Sequence, residues 1–399
     1  MEAIELEKLS IVNYDANLCL TCSSCVNGCP AAGIDGLDPR KAIRMYVLGL
    51  EEELVNSKWP WVCTLCGRCA YACPMNIDLP GIFKYIRSLR PREKVPGVLH
   101  KGVINVLETG NNLRIPKDDY LMLMEELGEE LANECCPGFK VPIDVVGAEY
   151  LFFPNSKEVF GEPDDMKWWW KIFYAAKVSW TIPSENWESV DWGSFTADDE
   201  ASKKIAKFKV DNAKKLKVRY IIAPDCGGSS WGFRYNYEKY FKDEMKKAGI
   251  ELVYIYDVLI RFIEEGLIKI DKSKHPQLTT YHDPCKHGRI LEMNNLKPYY
   301  EEPRFIIKQC CENFVEMYPN RGNNFCCGAG SGAWAGPYEK ERVYYGRMKA
   351  EQIRNTRAKL VITSCSNCRD QIMKSLKKEY NLDIEVKYIW QLVADSLII

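Results

Sequence analysis

Two runs of the chain hold cysteines at the spacing of a metal centre. "CLTCSSCVNGCP" carries Cys19, Cys22, Cys25 and Cys29, and "CTLCGRCAYACP" carries Cys63, Cys66, Cys69 and Cys73. Both read C-x2-C-x2-C-x3-C-P. Three thiolates at two-residue gaps wrap one corner of a [4Fe–4S] cube, and the fourth, turned away before proline, reaches the other cube of a pair. The spacing therefore predicts Cys19, Cys22, Cys25 and Cys73 around one cubane, and Cys63, Cys66, Cys69 and Cys29 around a second. Zinc is the competing metal, but its four-thiolate sites use pairs of C-x2-C rather than two complete quartets.

A third set lies towards the C-terminus. "RGNNFCCGAGSG" places Cys326 and Cys327 side by side against glycines, with Cys285 in "YHDPCKHGR" before it and Cys365 and Cys368 in "TSCSNC" after it. Neighbouring Cα atoms lie about 3.8 Å apart, whereas an unstrained disulfide wants roughly 4.4–6.8 Å, so Cys326 and Cys327 are poor partners for each other. His282 and His287 flank Cys285, and Arg289 follows. These are residue types that supply a proton or a positive field to a thiolate released from a cleaved disulfide; a loop-fixing role competes for each.

The elements that must carry these residues follow from periodicity. "DPRKAIRMYVLGLEEELVNSKW" steps its apolar residues by three and four, a helix starting near Pro39, and "LPGIFKYIRSL" gives another. From about Val95 the text is irregular. Then "VRYIIAPDCGGS" and "AKLVITSCSNC" form a repeat: an apolar run, a cysteine loop, a charged helical stretch, then a second apolar run, "IELVYIYDVLIRFI" or "LDIEVKYIWQLVAD". Strands alternating with helices argue for α/β units, with cysteines at strand ends, where such folds place ligands. Cys135 and Cys136 in "ECCPG" precede Cys226 as Cys326 and Cys327 precede Cys365, and Ser229 stands where Cys368 would be. The first copy thus has three cysteines where the second has five, leaving either a remnant three-ligand site or a bare scaffold.

The N-terminal segment resembles helical two-cluster ferredoxin domains. The set Cys285, Cys326–Cys327, Cys365 and Cys368 resembles the cysteine-rich "CCG" domain of heterodisulfide reductase B and D subunits, and the whole layout is similar to the D type. Relatives of that layout serve sulfite-reduction membrane complexes, cytochrome complexes and class II benzoyl-CoA reductase. The resemblance implies a multidomain α+β and α/β chain: residues 1–95 a ferredoxin domain with two [4Fe–4S] clusters, 96–270 a degenerate CCG repeat with a Trp-rich insertion, and 271–399 a complete CCG repeat. It also implies that the five cysteines hold a noncubane [4Fe–4S] cluster acting on a disulfide or trisulfide. Five thiolates over-supply a cubane, which needs four, and glycines at 328, 330 and 332 let backbone N–H groups approach an inorganic core.

Composition sets the remaining bounds. The chain has 399 residues, 46% apolar and 27% charged, with 54 basic against 55 acidic side chains, so no overall charge draws it to nucleic acid. Eighteen cysteines without a secretion signal indicate a reducing, cytoplasmic setting, free or on the cytoplasmic face of a membrane complex. No stretch is long and apolar enough to span a membrane. Without a G-x-G-x-x-G behind a strand, no flavin, haem or nicotinamide site is expected in this chain. The partners are then other redox subunits, namely a flavoprotein, a heterodisulfide reductase A-like subunit or a membrane cytochrome subunit, together with a small dithiol protein or thiol substrate. Adjacent Cys310 and Cys311 read as buried core thiols. Trp168, Trp169, Trp170, Trp180, Trp187 and Trp192 read as a lid that doubles as a docking surface. The function expected is that of an iron–sulfur oxidoreductase subunit feeding a disulfide-active centre, the alternative being a pure electron relay.

Overall fold

A computed structural model describes residues 15–223 and 226–399 of the chain. The acidic N-terminal stretch and the pair Pro224 and Asp225 lie outside the described residues. The N-terminal part is built of short helices, among them Pro39–Val47, Glu51–Asn56 and Leu79–Ser88. Asp38 caps the first by accepting from the Lys41 N–H at 2.9 Å, and Asp78 caps the third by accepting from Gly81 at 3.0 Å. The single helix expected from Pro39 onwards is two, because Gly49 adopts φ +74 and ends the first. Ala42, Ile43, Leu54, Ile82 and Phe83 form a core that continues into Met317, Tyr345 and Ile353 of the C-terminal part. One apolar cluster therefore binds the two ends of the sequence together.

The rest of the chain forms two four-stranded sheets. Strands β1 (Tyr150–Leu151), β2 (Trp180–Thr181), β3 (Tyr220–Ile222) and β4 (Glu251–Val253) stand in the order β2-β1-β3-β4. Strands β5 (Leu278–Tyr281), β6 (Asn313–Val315), β7 (Leu360–Thr363) and β8 (Glu385–Tyr388) stand in the order β6-β5-β7-β8. All pairs are parallel, with Leu151 opposite Thr181 and Ile221, and Thr280 opposite Val315 and Val361. Parallel strands are covered on both faces, which is why Leu360–Thr363 is buried at every residue. The order reverses direction between β1 and β3 and between β5 and β7. Crevices open at such switch points, beyond the carboxyl ends of the strands.

Two expectations are corrected here. The text after Val95 is ordered: helices Gly97–Thr109 and Lys117–Glu134 pack onto the first unit, and Gly102 lies so close to Trp192 that a Cβ there would sit 2.2 Å from its ring. The tryptophans are neither an insertion nor an exposed docking element. Trp168, Trp169 and Trp170 lie on helix Asp164–Ala176, the crossover from β1 to β2, and Trp180 is in β2 itself. Trp169, Trp170, Trp180, Trp187 and Trp192 are buried. Trp180 stacks on Phe173 at 4.8 Å, Trp187 on Tyr120 at 4.6 Å, and Trp169 on Trp390 of helix Ile389–Ser396 at 6.2 Å. Aromatic area of this size is worth most inside a core, and here it joins the two α/β units. Cys310 and Cys311 are buried in the same core. Among the described residues no helix is long and apolar enough to cross a membrane.

Candidate metal centres

The two quartets share one backbone design. Thr21 and Ser23 in the first, and Leu65 and Gly67 in the second, have positive φ (53, 68, 48 and 77), each pair leading into a one-turn helix, Ser24–Asn27 or Arg68–Tyr71. Such alternation turns successive N–H groups towards one point, a concavity suited to an anionic core. One cavity is lined by Cys19, Cys22, Cys25 and Cys73 together with Ile43 and Ile77. A second is lined by Cys29, Cys63, Cys66 and Cys69 together with Trp59, Phe83 and Tyr345. The fourth cysteine of each run thus lies with the first three of the other. Cys22 is exposed, whereas Cys63, Cys66 and Cys69 are buried.

The five C-terminal cysteines meet at the crevice between β5 and β7. Cys285 follows β5, Cys326 and Cys327 follow β6, and Cys365 leads from β7 into helix Ser366–Asp370, which carries Cys368. The Cys327 and Cys368 sulfurs are 3.2 Å apart, and a ring nitrogen of His282 lies within 4.8 Å of both. The Gly328 N–H donates to the Cys326 sulfur at 3.4 Å. Gly328 itself has φ +103, and a Cβ on it would lie 2.7 Å from the Arg342 carbonyl, so the CCG turn requires glycine.

A sixth thiol lies beside this site. Cys226, between β3 and helix Gly227–Asn236, is buried against Cys365, which together with burial holds its thiol well above the ordinary value. The Gly227 N–H donates to the Cys365 sulfur at 3.3 Å. The grouping of Cys226 with Cys135 and Cys136 is corrected by the topology: that pair precedes β1, whereas Cys326 and Cys327 lie between β6 and β7. Cys135 and Cys136 sit 3.5 Å apart at the end of helix Lys117–Glu134, and the groups acting on Cys136 are Cys135, Lys171 and Glu134. Cys226 could have been paired with Cys365 from their matching places in the repeat.

The second quartet is pressed onto the five-cysteine site. Thr64 Oγ1 lies 3.4 Å from the Cys326 sulfur and 3.1 Å from the Tyr345 hydroxyl, and the Ser331 hydroxyl donates to the Thr64 carbonyl at 2.8 Å. Buried cations close the joint. Lys286 Nζ donates to the Leu65 carbonyl at 2.9 Å, and Arg289 donates to the carbonyls of Cys66, Gly322 and Asn324 at 2.9, 2.7 and 2.9 Å. Arg289 is thus engaged in holding the loops. His287 Nδ1 bonds the Tyr256 hydroxyl at 2.8 Å, and burial pulls this imidazole down to about 4, so it is neutral at neutral pH. His282 is fully buried, and burial lowers its pKa too.

The donor set fits iron–sulfur chemistry. Four thiols line each quartet cavity, with no histidine or carboxylate beside them among the described residues, and thiolate is the donor that selects iron–sulfur clusters. Burial raises Cys69 well above the ordinary thiol range, and Cys66, Cys29 and Cys63 add to it; Cys29 is raised by burial, Cys66 and Cys63. Thiolates crowded in this way repel one another unless iron lies between them.

Two family models match the chain, the 4Fe-4S dicluster domain over residues 15–77 and the CCG cysteine-rich domain over residues 279–373. Beyond those segments, the chain is similar along nearly its whole length to the D polypeptide of the dihydromethanophenazine:CoB--CoM heterodisulfide reductase of Methanosarcina barkeri, 23% identical over 427 residues, 99% of this chain and 97% of that one. The chain resembles heterodisulfide reductase D subunits, with two cysteine-rich domains in one polypeptide. It is also similar to the Hdr-like menaquinol oxidoreductase iron-sulfur subunit 2 of Archaeoglobus fulgidus, 24% identical over 85% of this chain, and to the iron-sulfur subunit of Archaeoglobus profundus, 25% identical over 72%. The D-like chain spans 67% and 57% of the lengths of those two proteins. Those relatives are named as subunits of redox enzymes.

Proposed function

We propose that this D-like subunit passes electrons from a partner subunit through two cubane centres to the five-cysteine site, where a disulfide or trisulfide of a thiol partner is reduced or formed. Cys19, Cys22, Cys25 and Cys73 would hold the outer cubane, Cys29, Cys63, Cys66 and Cys69 the inner one, and Cys285, Cys326, Cys327, Cys365 and Cys368 a noncubane [4Fe–4S] centre. Such centres supply one electron at a time. The observation that carries the reading is the direct contact of the Cys63–Cys69 loop with the CCG loop through Thr64 and Cys326, 3.4 Å apart. The first sheet, with the strand order of the second, is read as the degenerate copy of the CCG unit.

The residues of the chain serve this route in three ways. Lys286 and Arg289 fix the inner quartet loop against the CCG loop. Leu65, Trp59 and Phe83 keep water from the inner cavity. A groove of about 380 Å³, lined by Leu65, Lys84, Tyr85, Trp231, Tyr235 and Met293 among others, ends against Lys286, the chain neighbour of Cys285, and offers a thiol partner its approach. Reduction there takes two electrons and two protons, breaking one S–S bond and releasing two thiols.

The burial of Cys326, Cys327, Cys365 and Cys368 favours a second reading, a relay that hands electrons to a neighbouring enzyme and meets no thiol substrate. One anaerobic experiment separates them. The isolated chain, reduced and mixed with a small disulfide in a single turnover, releases two thiols per two electrons on the first reading. If it never discharges into a disulfide yet still reduces its partner subunit, the relay stands.

A further inference from the structure

Two buried lysines occupy the same place in the two α/β units. Lys209 lies on helix Asp199–Leu216, eleven residues before Tyr220 at the start of β3; Lys349 lies on helix Arg347–Thr356, eleven residues before Leu360 at the start of β7. Each helix ends in a left-handed residue, Lys217 or Arg357, three residues before its strand. The two lysines are 1% and 0% exposed. Burial pulls both ammonium groups down to about 8, leaving them cationic at neutral pH. A buried cation is costly unless negative charge faces it.

The charge that faces each lysine differs. The negative groups acting on Lys209 are the buried carboxyl groups of Asp191 and Glu188, and its ammonium lies 5.8 and 5.7 Å over the Phe153 and Phe233 rings. Asp191 stands ten residues beyond Thr181 at the end of β2, and Cys326 eleven beyond Val315 at the end of β6, strand ends that hold the same register in their sheets. A carboxylate of the first unit thus stands about as far past its strand as the paired cysteines stand past theirs in the second. The negative groups acting on Lys349 are Asp283 and then the thiols of Cys327, Cys368 and Cys326, and its bonding partner Asn324 stands two residues before Cys326. Its ammonium donates to Asn324 Oδ1 at 2.5 Å and lies 3.6 Å from Met317 Sδ. Asp283 is engaged elsewhere: Arg304 grips both its oxygens at 2.8 and 3.0 Å, and the Arg321 N–H adds a bond at 3.0 Å.

We infer that Lys349 is the counter-charge built into the fold for the thiolate-held centre, raising its reduction potential, and that Asp191 and Glu188 supply the matching negative charge to Lys209 in the first unit, which holds no cluster. Lys349 is a positioning residue acting through the sulfurs of Cys326, Cys327 and Cys368. The inference rests on the metal reading of the five-cysteine site and not on its substrate.

The test uses the full chain purified anaerobically, with iron analysis and a redox titration followed by electron paramagnetic resonance. With about twelve irons per chain, K349M shifts the reduction equilibrium of the CCG centre at least tenfold towards the oxidised form, about 59 mV for one electron. K349R restores the parent potential, and K209M leaves it unchanged. An unaltered potential in K349M, or an equal shift in K209M, overturns the inference while leaving the metal reading intact. About eight irons in the parent chain would overturn the metal reading itself, and about sixteen would overturn the claim for the first unit. Should K349M lose the CCG centre while the two cubanes remain, K349R decides: retention supports a requirement for charge, and loss in both refutes it.

Discussion

Arg87 provides a strong test of how the three parts of the chain are joined. It lies on helix Leu79–Ser88, is 1% exposed, and donates to four carbonyls: Pro60 at 2.7 Å, Cys63 at 2.6 Å, Phe195 at 2.7 Å and Ser331 at 3.0 Å. Two of these belong to the inner quartet segment, one to the first α/β unit and one to the CCG loop. Burial pulls the guanidinium down to about 10, a desolvation cost of about 3 kcal/mol at 1.36 kcal/mol per tenfold change. Four hydrogen bonds from a charged donor contribute about 6 kcal/mol even at the lower end of their range, about 1.5 kcal/mol each. The net loss expected for R87M is therefore about 3 kcal/mol. R87K, which keeps the charge but not the planar fork, should fall between R87M and the parent. The assay is anaerobic urea unfolding, followed in parallel by tryptophan fluorescence and by cluster absorbance. The cluster signal of R87M should be lost at lower urea than in the parent, because the Cys63 carbonyl is released. A change below about 1 kcal/mol would refute the view that this one side chain clasps the three parts.

Two further outcomes are expected. Anaerobically prepared protein should contain about twelve irons per chain by colorimetric iron analysis, from two cubanes and one four-iron CCG centre. In C73S, brief alkylation of the native protein followed by mass spectrometry should label Cys19, Cys22 and Cys25 and spare Cys63, Cys66 and Cys69, since Cys73 lines the cavity of the first three; labelling of the second set would contradict the crossed arrangement.

Whatever depends on short spacing was already set by the order of the residues. A cysteine every three residues turns its thiols towards a common point whatever the rest of the chain does, so the two quartets were legible, as were the glycines that let the CCG turn form. The strands ending at Cys226 and Cys365 were legible too, because they are apolar runs covered on both faces. Tertiary packing settled the rest. Strands as short as Tyr150–Leu151 and Trp180–Thr181 carry no periodic signal, and without them Cys135 and Cys136 looked equivalent to the CCG pair. Only the strand order shows that they precede β1 and that Cys226 faces Cys365. The tryptophan run reads the same on paper whether it covers a surface or fills a core, since area alone does not say what packs against it. Arg87 and Lys349 act across gaps such as the one from Arg87 to Ser331, 244 residues apart, and no local pattern encodes what a buried cation will meet. Spacing chose the chemistry of the cysteines, and the folding of two parallel sheets against the helical N-terminal part chose which of them meet and which charges surround them.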